Sequence, residues 1–111
     1  MDLYEIQPRA SLDPTKEVAR ATEIAQKRMV AILVPGRRFD TTGTRHGKGA
    51  GWYDRFLEQV PPSWTRIGFC FDDQFSKEPL ARQPWDEPMD YVVVVPRSDG
   101  APVLHETEAR T

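Results

Sequence analysis

Three short apolar runs dominate the hydrophobic pattern of the chain. They cover residues 29–34, 66–71 and 91–95, and β-branched side chains occur in them without alternating polar positions. Such runs are typical of strands that are buried on both faces of a sheet. Pro35-Gly36 ends the first run. The pattern therefore predicts three buried strands, and a further short strand is expected near Leu3 to Ile6.

Helical spacing occurs in two other segments. Between Gly51 and Val60 the apolar residues recur one, three or four positions apart, polar side chains fill the other face, and Pro61-Pro62 ends the pattern. A second helix is predicted from the cap-like Asp13-Pro14 to about Lys27. Its apolar positions are Val18, Ala21, Ile24 and Ala25.

The order of these elements predicts the fold class. Strand, long loop, helix and strand form a βαβ unit, whose strands are parallel and joined by a right-handed crossover. We therefore expect an α/β protein with a small, mostly parallel sheet and flanking helices. Its 111 residues, 39% of them hydrophobic, suit a single domain with a modest core. Residues 96–111 are polar and are expected to form a loose tail, in which His105 is solvated.

Composition and charge argue against several classes of protein. No apolar run approaches the about 20 residues that a membrane-spanning helix needs. The formal charge of −2 provides no overall field that would favour nucleic acid. The first residues lack the order of a secretory signal, and the single cysteine, Cys70, cannot form an intramolecular disulfide. We therefore expect a cytoplasmic protein with neither a membrane nor a nucleic acid as partner, and we expect Cys70 to pack in the core.

Glycine clusters in one loop before the predicted second helix. Five of the seven glycines lie between Gly36 and Gly51, together with four basic residues and one acid. Glycines allow close approach of backbone N–H groups, and a helix start adds unpaired donors and a positive dipole end. Arg45 and Lys48 supply cations. The spacing matches neither the G-x-G-x-x-G pattern nor the P-loop, so an anion cradle and a flexible basic loop both remain open.

A longer series of motifs surrounds this loop. It comprises Pro35-Gly-Arg-Arg-Phe-Asp40, Gly43-Thr-Arg45, Gly47-Lys-Gly-Ala-Gly-Trp-Tyr-Asp-Arg-Phe-Leu57 and Pro84-Trp-Asp-Glu-Pro-Met-Asp90. Together they resemble the signature of 5-formyltetrahydrofolate cyclo-ligases, also called methenyltetrahydrofolate synthetases. The resemblance covers about residues 29–95 and implies a fold similar to the C-terminal half of the cyclo-ligase fold.

The resemblance implies a function and a set of site residues. It implies an enzyme that uses ATP and Mg²⁺ to convert 5-formyltetrahydrofolate to 5,10-methenyltetrahydrofolate, ADP and phosphate. Arg45 and Lys48 would act in catalysis, and Asp54 and Asp86 would hold Mg²⁺, which prefers carboxylate and phosphate oxygens. The implied ATP-binding residues are Arg45, Gly47, Lys48, Gly49, Ala50, Gly51, Trp52 and Tyr53.

Simpler roles remain open for several of these side chains. Asp54 would be stabilised in a first helical turn by the helix dipole without any metal. Asp86 stands in Asp-Glu-Pro, an ordinary turn sequence, and Asp40 favours an Asx turn into residues 41–43. Trp52 suits core packing as well as a ligand wall. His46 is not expected to act as a base or a ligand.

Cyclo-ligases are generally longer than this sequence, and the resemblance therefore implies an N-terminally truncated member. The part without a counterpart would contribute ATP contacts and part of the folate pocket. A second copy or a partner chain would then replace this layer, so that a nucleotide and a reduced folate could both bind. The alternative is a truncated nucleotide- or phosphate-binding module that has no cyclo-ligase activity and acts through a partner chain.

Overall fold

The three apolar runs form neighbouring strands of one sheet in a computed structural model, which describes residues 2–8, 13–48 and 51–110. The helices are α1 (Thr15–Ala25) and α2 (Trp52–Gln59). The strands are β1 (Ala31–Val34), β2 (Arg38–Asp40), β3 (Arg45–His46), β4 (Thr65–Phe71), β5 (Phe75–Ser76), β6 (Tyr91–Val95) and β7 (Val103–Glu106).

The main sheet has the strand order β1-β4-β6-β7. β4 pairs in parallel with β1 on one side and with β6 on the other, and Ile67 lies opposite both Leu33 and Tyr91. β1, α2 and β4 form the predicted βαβ unit. The predicted α/β class with a mostly parallel sheet and helices is therefore confirmed. No helix among the described residues has the length and apolarity needed to cross a membrane.

The expectation of a loose tail is wrong. Residues 103–106 form β7, which pairs antiparallel with β6 from Tyr91 opposite Glu106 to Val94 opposite Val103. His105 is not simply solvated, because its ring stacks on Phe75 with centroids 4.8 Å apart. An edge strand needs few apolar residues, since its pairing rests on backbone hydrogen bonds, and the polar composition therefore concealed it.

The expected strand near Leu3 to Ile6 is also absent, and residues 2–7 adopt no regular structure. Their backbone groups bond to side chains of α1 instead of to a strand. Arg20 Nη2 donates to the Glu5 carbonyl at 2.5 Å, and the Gln7 N–H donates to the Glu17 carboxylate. These bonds fix the segment to the helix.

The core lies on one face of the main sheet. Buried and more exposed positions alternate along β1 and β6, so the prediction that these strands are buried on both faces is wrong. α1 and α2 contact each other and pack against the same core, and within the described part of the chain the other face is left open. The core residues include Ile32, Val34, Phe39, Phe56, Leu57, Cys70, Val92 and Val94, which confirms the expected core position of Cys70.

A small second sheet joins the main sheet to the glycine loop, the segment of residues 47–51 between β3 and α2. Its order is β3-β2-β5, with β2 antiparallel to β3 and parallel to β5. Phe39 of β2 packs against the main sheet at Gly68, where a β-carbon would lie 2.2 Å from its ring. The second sheet therefore holds β3, and with it Arg45, beside the main sheet.

The turn between β2 and β3 is organised by the buried carboxylate of Asp40. Its Oδ1 accepts hydrogen bonds from the N–H groups of Thr42 at 2.9 Å and Thr44 at 3.0 Å, which confirms the expected Asx turn. Its Oδ2 accepts one from the Leu80 N–H at 2.7 Å. Burial acts to raise the pKa of Asp40, but these hydrogen bonds together hold it below its ordinary value.

Candidate functional site

An open cleft of about 830 Å³ lies beside the glycine loop and the start of α2. Every predicted site residue that the structure describes contributes to its lining, whereas Gly49 and Ala50 lie outside the described residues. The predicted residues that line it are Arg45, Gly47, Lys48, Gly51, Trp52, Tyr53, Asp54 and Asp86. The fold thus brings Asp86 to a loop that lies more than thirty residues earlier in the chain.

Two glycines shape the backbone that leads into α2. Gly51 is the N-cap, its φ of 73° lies in the left-handed region, and it provides no side-chain cap. Such a helix start favours an anion, because backbone donors and the positive dipole end point outward. At Gly47 a β-carbon would lie 2.6 Å from Arg45 Nη1. Glycine at position 47 therefore lets the guanidinium lie directly against the loop backbone.

Arg45 is a buried cation in this cleft. Only 8% of the residue is exposed, its Nη1 donates to the Pro35 carbonyl at 2.8 Å, and its guanidinium carbon lies 5.4 Å from the ring centroid of Tyr53. Its Nε is buried and has no hydrogen-bond partner in the described part of the chain. An unpaired buried donor costs about 1–3 kcal/mol, so an anionic ligand that reached this group would remove a real penalty.

The surroundings of Arg45 set its charge and that of Tyr53. Burial lowers the pKa of Arg45, while the nearby Asp54, Tyr53 and Asp86 act to raise it. An arginine remains protonated at neutral pH because its ordinary pKa is so high. Burial raises the pKa of Tyr53 and Arg45 acts to lower it, so the phenol also keeps its proton. The cleft therefore presents a permanent cation and a neutral hydroxyl.

Asp54 and Asp86 each accept a hydrogen bond from the backbone of residues 83–87. Asp54 Oδ1 accepts a hydrogen bond from the Glu87 N–H at 3.0 Å, and Asp86 Oδ2 accepts one from the Gln83 N–H at 2.8 Å. Each bond uses one carboxylate oxygen. No group of three or more potential metal-ligating side chains occurs among the residues that the structure describes. A magnesium ion held by these two acids would need phosphate and water oxygens to complete its shell, which is its usual preference.

Other predicted residues occupy more ordinary positions. Trp52 is buried and stacks on Phe56 with centroids 5.2 Å apart, so its ring belongs largely to the core. Lys48 is exposed at the cleft. His46 contacts the Ala81 carbonyl oxygen through Nε2 at 2.7 Å, which ties the segment after β5 to the loop.

Sequence reasoning missed the residues between β5 and β6 that face the loop. Ala81, Gln83 and Trp85 line the cleft as well as Asp86. The hydrophobic pattern contains no signal for them, because their segment has no regular structure. An isolated tryptophan within a polar, proline-rich stretch was the available indication.

The comparison with known families covers the part of the chain that forms this cleft. The profile of the 5-formyltetrahydrofolate cyclo-ligase family matches residues 5–95, which include all the cleft residues named above. The chain belongs to the 5-formyltetrahydrofolate cyclo-ligase family. The match contains the glycine loop, Asp54 of α2 and Asp86 of the segment between β5 and β6.

Individual relatives are similar over part of their length. A 5-formyltetrahydrofolate cyclo-ligase of Mycolicibacterium smegmatis is 36% identical over 66 residues, which are 60% of this chain and 34% of the relative. One of Mycoplasma genitalium is 28% identical over 71 residues, which are 64% of this chain and 42% of the relative. The chain thus spans less than half the length of these relatives.

Two solved structures of 5,10-methenyltetrahydrofolate synthetases are also similar. That of Mycoplasma pneumoniae is 32% identical with a TM-score of 0.49, and the match covers 54% of this chain and 35% of that protein. That of Aquifex aeolicus is 36% identical with a TM-score of 0.48, and the match covers 68% of this chain and 34% of that protein.

Proposed function

We propose that this chain functions in the cytoplasm as an ATP- and magnesium-dependent protein of the 5-formyltetrahydrofolate cyclo-ligase type, forming 5,10-methenyltetrahydrofolate, ADP and phosphate. One observation supports this most directly. The buried Arg45 guanidinium, with its unpaired Nε, lies in the same cleft as the uncapped start of α2. This combination suits a polyanion, and the glycines of the loop allow its backbone to approach such a ligand closely.

In this proposal the phosphates of ATP bind along the loop. Backbone donors of Gly47, Gly51 and the start of α2 surround them, while Arg45 and Lys48 neutralise their charge. Trp52 and Tyr53 form the adjoining wall. Arg45 is positioned by Pro35 and Tyr53, whereas Lys48 is an exposed and therefore adjustable cation.

Asp54 and Asp86 would hold the magnesium ion that accompanies the nucleotide. Bound magnesium would supply charge neutralisation on the phosphates. The remaining contribution of the chain is positioning. Asp54 fixes the Glu87 backbone and so keeps the segment that contains Asp86 against the first turn of α2.

The proposed reaction has two steps, as the family resemblance implies. The formyl oxygen attacks the γ-phosphorus of ATP, and ADP leaves. The second nitrogen of the folate then attacks the formyl carbon, the ring closes and inorganic phosphate leaves. Phosphoryl transfer of this kind depends mainly on positioning and charge stabilisation, which the cations of the cleft provide.

The test is an assay of ring closure. The purified chain is incubated with ATP, Mg²⁺ and 5-formyltetrahydrofolate, and the absorbance of methenyltetrahydrofolate is followed over a series of protein concentrations. We expect product, with activity lost in Lys48→Ala and retained in Lys16→Ala, whose lysine is exposed on α1 outside the cleft. Activity per chain that rises with protein concentration would show that a second copy completes the site. No product at any concentration would contradict the proposal.

A second candidate is a nucleotide- or phosphate-binding module without ring-closing activity. It is favoured by the chemistry of the described cleft residues, since Arg45, Lys48 and the two acids suit a phosphate and its metal ion and none of them is assigned to the folate. Calorimetric titration separates the two functions. Binding heat with Mg²⁺-ATP that disappears in Lys48→Ala, together with no response to 5-formyltetrahydrofolate, would favour the module.

A further inference from the structure

A tight turn at the cleft presents an aromatic side chain at its tip. The Asp86 N–H donates to the Gln83 carbonyl at 3.0 Å, and the Gln83 N–H donates to Asp86 Oδ2 at 2.8 Å. Pro84 and Trp85 are therefore the two central residues of a β-turn. Proline at the first central position fixes φ at a value that such turns require. The turn is thus closed twice and stiffened by its proline.

This turn is also fixed relative to the glycine loop. On one side His46 contacts the Ala81 carbonyl at 2.7 Å, and on the other Asp54 accepts the Glu87 N–H at 3.0 Å. Glu87 in addition lies 3.5 Å from Arg66 Nη2. Contacts on both sides of the turn therefore hold it at the cleft, and two of the contacting residues themselves line that cleft.

The tryptophan at the tip of the turn is left in solvent. Trp85 is 67% exposed, whereas Trp52 and Trp64 are only 8% and 6% exposed. A large aromatic side chain normally contributes to stability by being buried. Here four hydrogen bonds and a proline hold the backbone in a conformation that keeps the indole exposed at the cleft, which is the arrangement of a preorganised binding surface.

The cleft contains both halves of a site for a charged aromatic ligand. Arg45, Lys48 and the start of α2 suit anionic groups, and the volume of about 830 Å³ lies near the upper end of the range for small-molecule pockets. That space exceeds what a phosphate chain alone requires. An exposed indole on the same lining offers a flat face for stacking, and stacking accepts any planar ring.

We propose that Trp85 is the stacking platform for the planar heteroaromatic ring of the ligand whose anionic groups bind at the glycine loop. The ring is either the adenine of ATP or the pteridine of the reduced folate. This inference rests on the proposed function, because the ligands are those of the cyclo-ligase reaction. It makes Trp85 a specificity-determining residue that selects ligands with a flat ring over phosphate alone.

The test compares three ligands by calorimetry in the presence of Mg²⁺. They are ATP, inorganic triphosphate, which has no ring, and 5-formyltetrahydrofolate. Trp85→Ala should weaken one ring-containing ligand by about tenfold or more, because one stacked ring is worth that much. Trp85→Phe should retain most of the affinity, and triphosphate should bind equally to all variants. Tyr4→Ala is the matched control, since Tyr4 is 59% exposed and lies outside the cleft lining.

Fluorescence provides a second readout that needs no variant. Because the other two tryptophans are buried, acrylamide should quench mainly Trp85, and the stacking ligand should protect it from quenching. Protection by ATP but not by triphosphate identifies adenine. Protection by the folate identifies pteridine.

The outcomes that contradict the stacking role can be distinguished from those that contradict the proposed function. If ATP and triphosphate bind and Trp85→Ala changes neither ring-containing ligand, the stacking role is wrong while the anion site stands. If Trp85→Ala weakens triphosphate as much as ATP, the turn is only a structural support and the stacking role is again overturned. If none of the three ligands binds to the unmodified chain, the proposed function itself fails.

Discussion

At the scale of single residues, Asp86 has a turn contact that the structure shows, and we propose a second role for it as a magnesium ligand. Its Oδ2 closes the turn with the Gln83 N–H, and its side chain lines the cleft near the charge of Arg45. Oδ2 of Asp86 thus has a hydrogen-bond partner in the turn, which leaves Oδ1 for a cation. The two roles can therefore be separated by a substitution that preserves the oxygen and removes the charge.

We predict that Asp86→Asn keeps the turn but weakens the binding of Mg²⁺-ATP. The amide oxygen still accepts the Gln83 N–H, whereas an uncharged ligand binds Mg²⁺ poorly. Calorimetry should show affinity for Mg²⁺-ATP reduced by about tenfold, as expected for the loss of one charge-assisted contact. The melting temperature should stay close to that of the unmodified chain. If Asp86→Asn binds normally and only Asp86→Ala does not, Asp86 acts in the turn alone.

Cys70 gives a prediction about alkaline pH. Burial, with smaller effects from Asp73 and Asp72, raises the pKa of its thiol from an ordinary 9.0 to about 11. Above pH 9 the unfolded chain loses this proton while the folded chain retains it, so the free energy of unfolding decreases as the pH rises through this range. The contribution of the thiol to stability is therefore complete below pH 9 and lost between pH 9 and about 11.

Urea unfolding at several pH values measures this effect. The free energy of unfolding should fall more steeply between pH 9 and 11 for the unmodified chain than for Cys70→Ala, which has no thiol to titrate. The difference between the two slopes isolates Cys70 from tyrosine and lysine side chains that titrate in the same range. Parallel slopes would show that the thiol ionises equally in both states.

At the scale of elements, the β2 to β3 turn decides where Arg45 lies. The Asp40 carboxylate accepts backbone hydrogen bonds from Thr42, Thr44 and Leu80, so it connects this turn to the segment that follows β5. Arg82 joins the same contact by donating to Thr44 Oγ1 at 2.8 Å. A loop that must hold a buried guanidinium is thus supported by an ionised carboxylate at its base.

We predict that Asp40→Asn destabilises the protein by about 2 kcal/mol. The amide replaces one acceptor oxygen with an NH₂ group, which faces backbone donors and leaves at least one of them unpaired in a buried position. Urea unfolding measures the loss. Asp73→Asn is the control, because Asp73 is exposed and its bond to Arg97 lies at the surface. Equal stability of the two variants would contradict the structural role of Asp40.

The sequence predicts elements well where hydrophobic spacing carries information. α2 extends from Trp52 to Gln59, within the expected Gly51 to Val60, and the three apolar runs became β1, β4 and β6. β2, β3 and β5 are two or three residues long and could not be predicted, since their pairing depends on the Asp40 turn. The motif predicted cleft-lining residues such as Arg45 and Asp54, whereas the position of Trp85 could not be predicted because a tertiary turn sets it.

At the scale of the whole molecule, the main sheet has one open apolar face. The strand register places side chains of β1, β4, β6 and β7 on this face, and neither α1 nor α2 covers them. Its most exposed members are Leu33 at 58%, Phe69 at 45%, Phe71 at 42% and Leu104 at 60%. Contiguous apolar surface of this kind promotes association in water, since burying it is favourable in proportion to its area.

We predict that copies of this chain associate with rising concentration and that Phe69→Thr reduces this association. Threonine keeps a β-branched side chain in the strand and removes the ring from the open face. Because Phe69 is 45% exposed, the free energy of unfolding should change by about 1 kcal/mol or less. Phe56→Ala, at a fully buried position of α2, should instead cost about 3–5 kcal/mol.

Sedimentation velocity over a range of concentrations measures association, and urea unfolding measures stability. The comparison of the two phenylalanines separates an effect of the open face from general destabilisation, because partial unfolding would increase association in Phe56→Ala. We therefore expect Phe69→Thr to associate less than the unmodified chain at the same concentration. A chain that sediments at its monomer mass of 12.7 kDa at every concentration would show that the open face does not drive self-association.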